Sequence, residues 1–92
     1  MPDHPNFVLA SAGNTVVPAY LALQQKGYSV RTVKTPDSGA EELWFAEDAG
    51  HRFVAEDPLL LLALVALYET RGQEWQATDD QITTFIAQHE YE

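Results

Sequence analysis

Blocks of apolar residues alternate with short polar, glycine- or proline-containing segments along the chain, and this pattern predicts seven secondary-structure elements. The first block, residues 7–10 with Ser11 as an optional end, is a continuous apolar run that predicts a short buried strand. Residues 15–26 then repeat apolar side chains at a helical spacing, which predicts an amphipathic helix. Its predicted apolar face consists of Val16, Ala19, Tyr20 and Leu23.

The ends of this first helix are marked by residues with defined capping roles. Thr15 is predicted as the N-cap, which places Pro18 in the first turn, where its missing N–H removes no helical hydrogen bond. Gly27 is predicted to end the helix in a left-handed conformation, because a residue without a Cβ adopts positive φ easily. Tyr28 would then fold back onto Leu23.

Three further strands are predicted in the middle of the chain. They are residues 28–35, 42–46 and 51–55, separated by a turn signature at 36–39 and a hairpin loop at 47–50. Because short connections join antiparallel neighbours, these strands predict a three-stranded antiparallel meander.

Two helices are predicted after the meander. Asp57 as N-cap and Pro58 at the first position begin a helix over residues 58–71. This leucine-rich helix is apolar around most of its circumference, so it is either the central helix of the core or meets another protein chain along one stripe. A capping box at residues 78–81 begins the last helix. The predicted inward face of that helix is Ile82, Phe85, Ile86 and His89.

The predicted order is therefore β-α-β-β-β-α-α in a single domain spanning residues 1–92, with residues 1–6 as a flexible N-terminus. The first β-α-β connection is expected to be right-handed, which makes the first two strands parallel. The expected fold class is α/β (α+β), with a mixed four-stranded sheet packed against three helices.

The net charge of −9 is unevenly distributed along the chain. Residues 1–35 carry three basic side chains and one carboxylate, whereas residues 36–92 carry two basic side chains and thirteen carboxylates. A surface this acidic repels phosphate backbones, so nucleic-acid binding is not expected. It would attract a basic protein and accelerate its association. The alternative is that the charge only keeps a small domain soluble.

Several features favour a cytoplasmic protein. The chain has no cysteine, so it forms no disulfide and is compatible with a reducing compartment. The first residues lack the basic start and apolar stretch of a signal peptide. The longest apolar run, residues 59–68, is about half the length of a membrane span, so no membrane partner is expected.

The strongest chemical signal is the loop that joins the first strand to the first helix. A glycine-containing loop at a helix N-terminus can present backbone N–H groups to an anion. The candidate ligand- or anion-binding residues are Ser11, Gly13, Asn14 and Thr15. The alternative is structural, with the glycine in a left-handed turn and the threonine as the helix cap.

Residues 11–28 resemble one segment of the pyridoxal-phosphate enzymes related to cysteine synthase, in which a Ser-Gly-Asn-Thr loop cups an anionic group. The chain is far too short for that fold, and Ala12 interrupts the Ser-Gly step. Neither Lys26 nor Lys34 has the sequence context of a Schiff-base lysine. No membership of that family and no cofactor are therefore predicted.

A second candidate surface combines an aromatic residue with charged strand ends. Trp44 alternates with Leu43 and Phe45, so it would be exposed beside Arg52 if the helices cover only the opposite sheet face. The alternative is that the first helix covers Trp44. Exposed aromatic residues with charged neighbours are typical of protein-interaction hot spots. The predicted interaction residues are Glu41, Glu42, Trp44, Glu47, Asp48 and Arg52.

Neither a metal site nor a catalytic site is predicted. The histidines at positions 4, 51 and 89 are too scattered for a metal motif, and Ser11 lacks the context of a hydrolase nucleophile. The favoured function is a non-catalytic interaction module that binds a basic protein, as antitoxin-like inhibitors do, or a second copy of itself. The alternative is a small-ligand or anion-binding protein that uses loop 11–15.

Overall fold

The computed structural model describes residues 6–34 and 42–89. A 3-10 turn over Gly13–Thr15 leads into the first of three helices. The helices and strands are α1 (Val16–Gln25), β1 (Ser29–Lys34), β2 (Glu42–Glu47), β3 (Arg52–Ala55), α2 (Pro58–Arg71) and α3 (Asp79–His89). The predicted turn at residues 36–39 lies outside the described residues, as do residues 1–5 of the predicted flexible N-terminus.

The three strands form an antiparallel sheet in the order β1-β2-β3, so the predicted meander is confirmed. Val30 of β1 pairs with Ala46 of β2, and Ala46 pairs in turn with Phe53 of β3. Because cross-strand partners point to the same side, these three residues lie on one sheet face. That face is covered by helices.

The predicted first strand is wrong, and with it the mixed four-stranded sheet and its parallel start. Residues 7–10 are described and form no strand. Leu9 lies instead near the first turns of α1 and α2, where it borders a cavity with Pro18 and Leu59. An apolar run becomes a strand only where a sheet edge pairs with its backbone groups, and this segment lies at the helix ends. The fold is α+β.

The core lies between the sheet and the two helices α1 and α2. Among the described residues, the buried apolar side chains are Ala19, Leu23, Ala46, Pro58, Leu61 and Val65. Half-buried residues from the sheet and its flanks surround them, namely Tyr28, Val30, Trp44, Phe53 and Ala55. These elements form a two-layer unit, which we call the compact unit.

α1 begins and ends where predicted, with Thr15 at its N-cap and Lys26 at its C-cap. Gly27 has a φ of +99°, and the N–H of Tyr28 donates to the carbonyl of Leu23 at 3.1 Å. The predicted capping hydrogen bond of Thr15 is wrong, because its hydroxyl donates to the carbonyl of Ala12 at 2.6 Å. Thr15 is the last residue of the 3-10 turn, which folds its side chain backwards.

The starts of α2 and α3 are confirmed at the level of single hydrogen bonds. The Oδ1 of Asp57 accepts from the N–H of Leu60 at 2.8 Å. Thr78 and Gln81 form the predicted reciprocal capping box, with distances of 3.2 and 2.9 Å. Gly72, with a φ of +78°, ends α2.

Candidate functional site

The loop predicted to bind a ligand borders an apolar cavity of about 530 Å³. Pro18 of α1 and Leu59 of α2 contribute apolar walls, and Leu9 borders the same space. Three of the four predicted ligand residues line the cavity, namely Ser11, Asn14 and Thr15. Gly13 does not belong to the lining.

This cavity fits an apolar ligand better than an anion. Its lining residues carry no positive charge, and the Thr15 hydroxyl is already bonded within the loop. The predicted left-handed turn at Gly13 is wrong, because the described glycines with positive φ lie elsewhere in the chain. A Cβ at Gly13 would have no heavy atom within 4 Å, so the turn does not require a glycine. Anion binding by the loop stays a prediction.

The hairpin between β2 and β3 holds its charges in internal pairs. Glu47 accepts a hydrogen bond from the Nε of Arg31 at 3.1 Å and another from the Nε of Arg52. These two hydrogen bonds lower the pKa of the Glu47 carboxyl below its ordinary value. The Arg31 guanidinium also lies 4.2 Å from the centroid of the Phe45 ring. Glu47 is therefore a weaker attractor of a basic partner than its sequence position implies.

Asp48, His51 and Tyr68 form a hydrogen-bonded chain that ties the hairpin loop to α2. The Oδ1 of Asp48 accepts from the N–H of Gly50 at 2.9 Å and lies 2.9 Å from the Nδ1 of His51. The bond from Gly50, followed by the one from His51, lowers the pKa of the Asp48 carboxyl. The Nε2 of His51 lies 3.0 Å from the Tyr68 hydroxyl. Sequence reasoning missed Tyr68, because its partner is remote along the chain.

The structure places Trp44 and Arg52 on opposite sheet faces. Trp44 lies opposite Ala55 across the hairpin and packs against the core. Arg52 lies opposite Glu47 on the outer face. In this register each even-numbered position of β2 faces an odd-numbered position of β3, and the two partners share a face. The expected exposure of Trp44 beside Arg52 is therefore wrong, because Trp44 lies on the sheet face that packs against the core. The alternative that the first helix covers Trp44 stays a prediction.

The remaining predicted interaction residue that the structure describes, Glu42, lies at the start of β2. Its Oε2 is 3.9 Å from the Nζ of Lys34 on β1. Glu41 lies outside the described residues. The role of the predicted carboxylates in protein interaction stays a prediction. Glu47 lies on the sheet face opposite to Trp44, whereas Glu42 lies on the same face as Trp44.

One side of α2 remains outside the core. Leu61 and Val65 are fully buried, whereas Leu60 is 48% exposed and Leu67 is 36% exposed. The outward positions recur every three or four residues and thus form one continuous line along the helix. We call this surface the α2 outer stripe, and it consists of Leu60, Ala63, Leu64 and Leu67.

A groove of about 290 Å³ extends from the α2 outer stripe to the edge strand β3. Val54, Leu67 and Trp75 supply apolar walls. Arg71 lies one turn beyond Leu67, and its guanidinium donates to the backbone carbonyls of Trp75 and Gln76 at 2.8 and 3.4 Å. A positive charge thus stands at the C-terminal end of an otherwise uncharged stripe.

The inward packing predicted for α3 is wrong. No residue of this helix, all of which the structure describes, is buried. Ile82 is 45% exposed and Ile86 is 40% exposed, while the Phe85 ring lies 4.8 Å from the ring of His89. The periodicity is as predicted, but the helix does not turn this face into the core. We call Ile82, Phe85 and Ile86 the α3 apolar face.

The dimensions of the chain reflect these exposed surfaces together with the exposed segment at residues 6–14. Its radius of gyration is 16.5 Å, against about 12 Å for a compact domain of this length. It exposes 7592 Å² of surface, against about 5,400 Å² for a folded monomer of this mass. About 2,200 Å² is therefore exposed in excess of a typical monomer.

The chain has no counterpart in the comparisons with known proteins: no family model matches it, and neither a curated protein nor a solved structure is significantly similar. In the described ranges, no helix combines the length and apolar character needed to cross a membrane. Those ranges also contain no group of three or more histidine, cysteine or acidic residues placed to hold a metal ion. The candidate interaction site, the α2 outer stripe with its adjoining groove, is therefore defined only by the exposure and position of its residues.

Proposed function

We propose that this chain is a small, acidic, non-catalytic protein-interaction module of the cytoplasm. The observation that carries the proposal is the α2 outer stripe, in which Leu60 and Leu67 are exposed and Leu64 is half-buried beside an apolar groove. Contiguous apolar surface on a small domain is typical of protein-interaction sites. The excess exposed area supports the same function, because a bound protein would cover it.

The partner is either a basic protein or a second copy of the chain. The net charge of −9 supports a basic partner, which the field of the carboxylates would steer toward the module. An inhibitor of a basic protein, similar to an antitoxin, fits this description. Such an association would slow as salt is added, because ions screen long-range attraction.

A test of the module is photo-crosslinking in the cell that makes the protein. A photoreactive p-benzoylphenylalanine at Leu67 should form a discrete adduct with a protein, because this position lies on the α2 outer stripe. The matched control places the same residue at Ala66, which is exposed on α2 but points away from the stripe. An adduct at Leu67 and none at Ala66 supports the module. Absence of any protein adduct at both Leu67 and Leu60 contradicts it.

A second candidate function is supported by the cavity at loop 11–15. Its volume of about 530 Å³ is that of a small-molecule site, and its walls are mainly apolar. The anion version of this function is tested by a phosphate titration followed by NMR at constant ionic strength. Saturable shifts confined to the amides of residues 12–16 would support an anion site, whereas uniform or absent shifts would exclude it.

A further inference from the structure

We infer that the α2 outer stripe is covered by α3 of a second copy of this chain, so that two copies form a twofold dimer with α3 antiparallel to α2 of the partner. This inference rests on the proposed interaction function and names the partner for its apolar surface. It requires that area, shape and charge all agree with self-association.

The exposed area agrees with a stable homodimer. Each subunit of an obligate dimer buries about 1,000–2,500 Å². The chain exposes about 2,200 Å² more than a compact monomer of its mass, and the exposed residues 6–14 contribute to this excess together with α2 and α3. α3 supplies part of this excess, because it is a helix without a buried residue. An isolated helix of 11 residues is marginal in water, so packing is needed to stabilise it.

The α3 apolar face is short enough to lie within the α2 outer stripe. From Leu60 to Leu67 the α2 outer stripe rises about 10 Å along its helix, and from Ile82 to Ile86 the α3 apolar face rises about 6 Å. Ile82 and Ile86 are spaced four residues apart, so they form a ridge that can lie in the furrow beside Leu64 of a facing helix. Because one chain carries both the ridge and the furrow, a twofold axis produces the contact twice.

The charges select the antiparallel orientation. Asp79 and Asp80 lie in the first turn of α3, and Arg71 lies in the last turn of α2. An antiparallel arrangement brings the two aspartates to the Arg71 of the other copy. It also places the N-terminal end of each helix beside the C-terminal end of the other, so that the helix dipoles attract. A parallel arrangement would instead bring the aspartates to Asp57, which stands at the start of α2.

Sedimentation equilibrium of the full chain tests the dimer directly. The expected species has twice the chain mass of 10.3 kDa, and its population rises with concentration. Leu67→Glu places a charge in the proposed interface and should weaken association at least about thirtyfold, as loss of a hot-spot contact does. Leu60→Glu should do the same. Ala66→Glu adds the same charge to α2 outside the stripe and should leave the dimer almost unchanged.

A charge exchange tests the orientation. Arg71→Glu alone, or Asp79→Lys combined with Asp80→Lys, should weaken self-association about tenfold, because each homodimer then places like charges together twice. Mixing the two variants should restore the dimer, since both contacts of the mixed pair are again attractive. A mixture that associates no better than its components overturns the antiparallel contact. That contact is also overturned if Arg71 pairs with Asp79 or Asp80 of its own chain, in which case the single-charge variants lose stability without any change in self-association.

The salt dependence separates failure of the dimer from failure of the module. Both copies are acidic, so self-association should strengthen as salt screens their repulsion, whereas binding to a basic protein should weaken. A chain that is monomeric at every concentration and salt level overturns the dimer. If Leu67 still crosslinks to a different protein, the interaction module stands while this inference fails.

Discussion

α1, in the compact unit, and α3 have similar sequence patterns, but only α1 is packed into the core. α1 and α3 both carry apolar residues at helical spacing, and both are short. α1 buries Ala19 and Leu23 against the sheet and α2, whereas α3 buries nothing among its described residues. Periodicity thus identifies an apolar face, but the face is covered only if the connection delivers it to a complementary surface.

Removing volume from the core and removing apolar surface from α3 should have unequal effects on stability. Leu61→Ala should lower the free energy of unfolding by about 2–5 kcal/mol, because Leu61 is fully buried and its loss leaves a cavity. Ile86→Ala should cost less than about 0.5 kcal/mol in dilute protein, where α3 is exposed. Urea unfolding followed by tryptophan fluorescence measures both.

Equal losses for Leu61→Ala and Ile86→Ala would contradict the separation of α3 from the compact unit. The protein concentration affects this comparison, because dimer formation would stabilise α3. Repeating the urea curves at high protein concentration should therefore raise the cost of Ile86→Ala and leave the cost of Leu61→Ala nearly constant.

How much of this molecule follows from its sequence depends on the distance over which each feature is determined. Gly27, Asp57 and the Thr78–Gln81 box were predicted because each acts through hydrogen bonds to residues within five positions. The meander followed for a related reason, since its strands are neighbours along the chain.

The features that were predicted wrongly depend on remote partners. The run at residues 7–10 has the composition of a strand, but no local signal places it beside a sheet edge. Trp44 and Arg52 needed the hairpin register, and α3 needed a surface to pack against. The candidate site was predicted only as one of two alternatives for α2, in which one stripe of the helix meets another chain. This alternative could be stated because the large number of leucines in α2 is visible in the sequence.

The second test compares the two helix starts of the compact unit. Asp57→Ala should lower the free energy of unfolding by about 1 kcal/mol, because the carboxylate accepts from the Leu60 N–H. Thr15→Ala should cost less than half of that, since its hydroxyl serves the preceding 3-10 turn and not α1. Thermal melts of the two variants provide the measurement. A larger loss for Thr15→Ala than for Asp57→Ala would show that the 3-10 turn stabilises the fold more than the Asp57 cap of α2 does.

The smallest expected effect is a pH dependence at the hairpin. Because the folded state lowers the pKa of Asp48, its ionised form contributes stability that is fully present above the unfolded pKa. This stability is lost as the pH falls below about 4 and through the lower folded pKa. Asp48→Asn should therefore flatten the acid limb of a stability-versus-pH curve. If the Asp48→Asn variant keeps the slope of the wild-type acid limb, Glu47 and other carboxylates account for that slope.

Hydrogen exchange as a function of protein concentration tests the central contrast most directly. The amides of α3 should exchange with little protection at about 1 μM chain and become protected at about 100 μM, as the second copy covers the helix. The amides of β2 should keep the same protection at both concentrations, because the compact unit does not depend on the partner. Strong protection of α3 that is independent of concentration would contradict self-association through this helix.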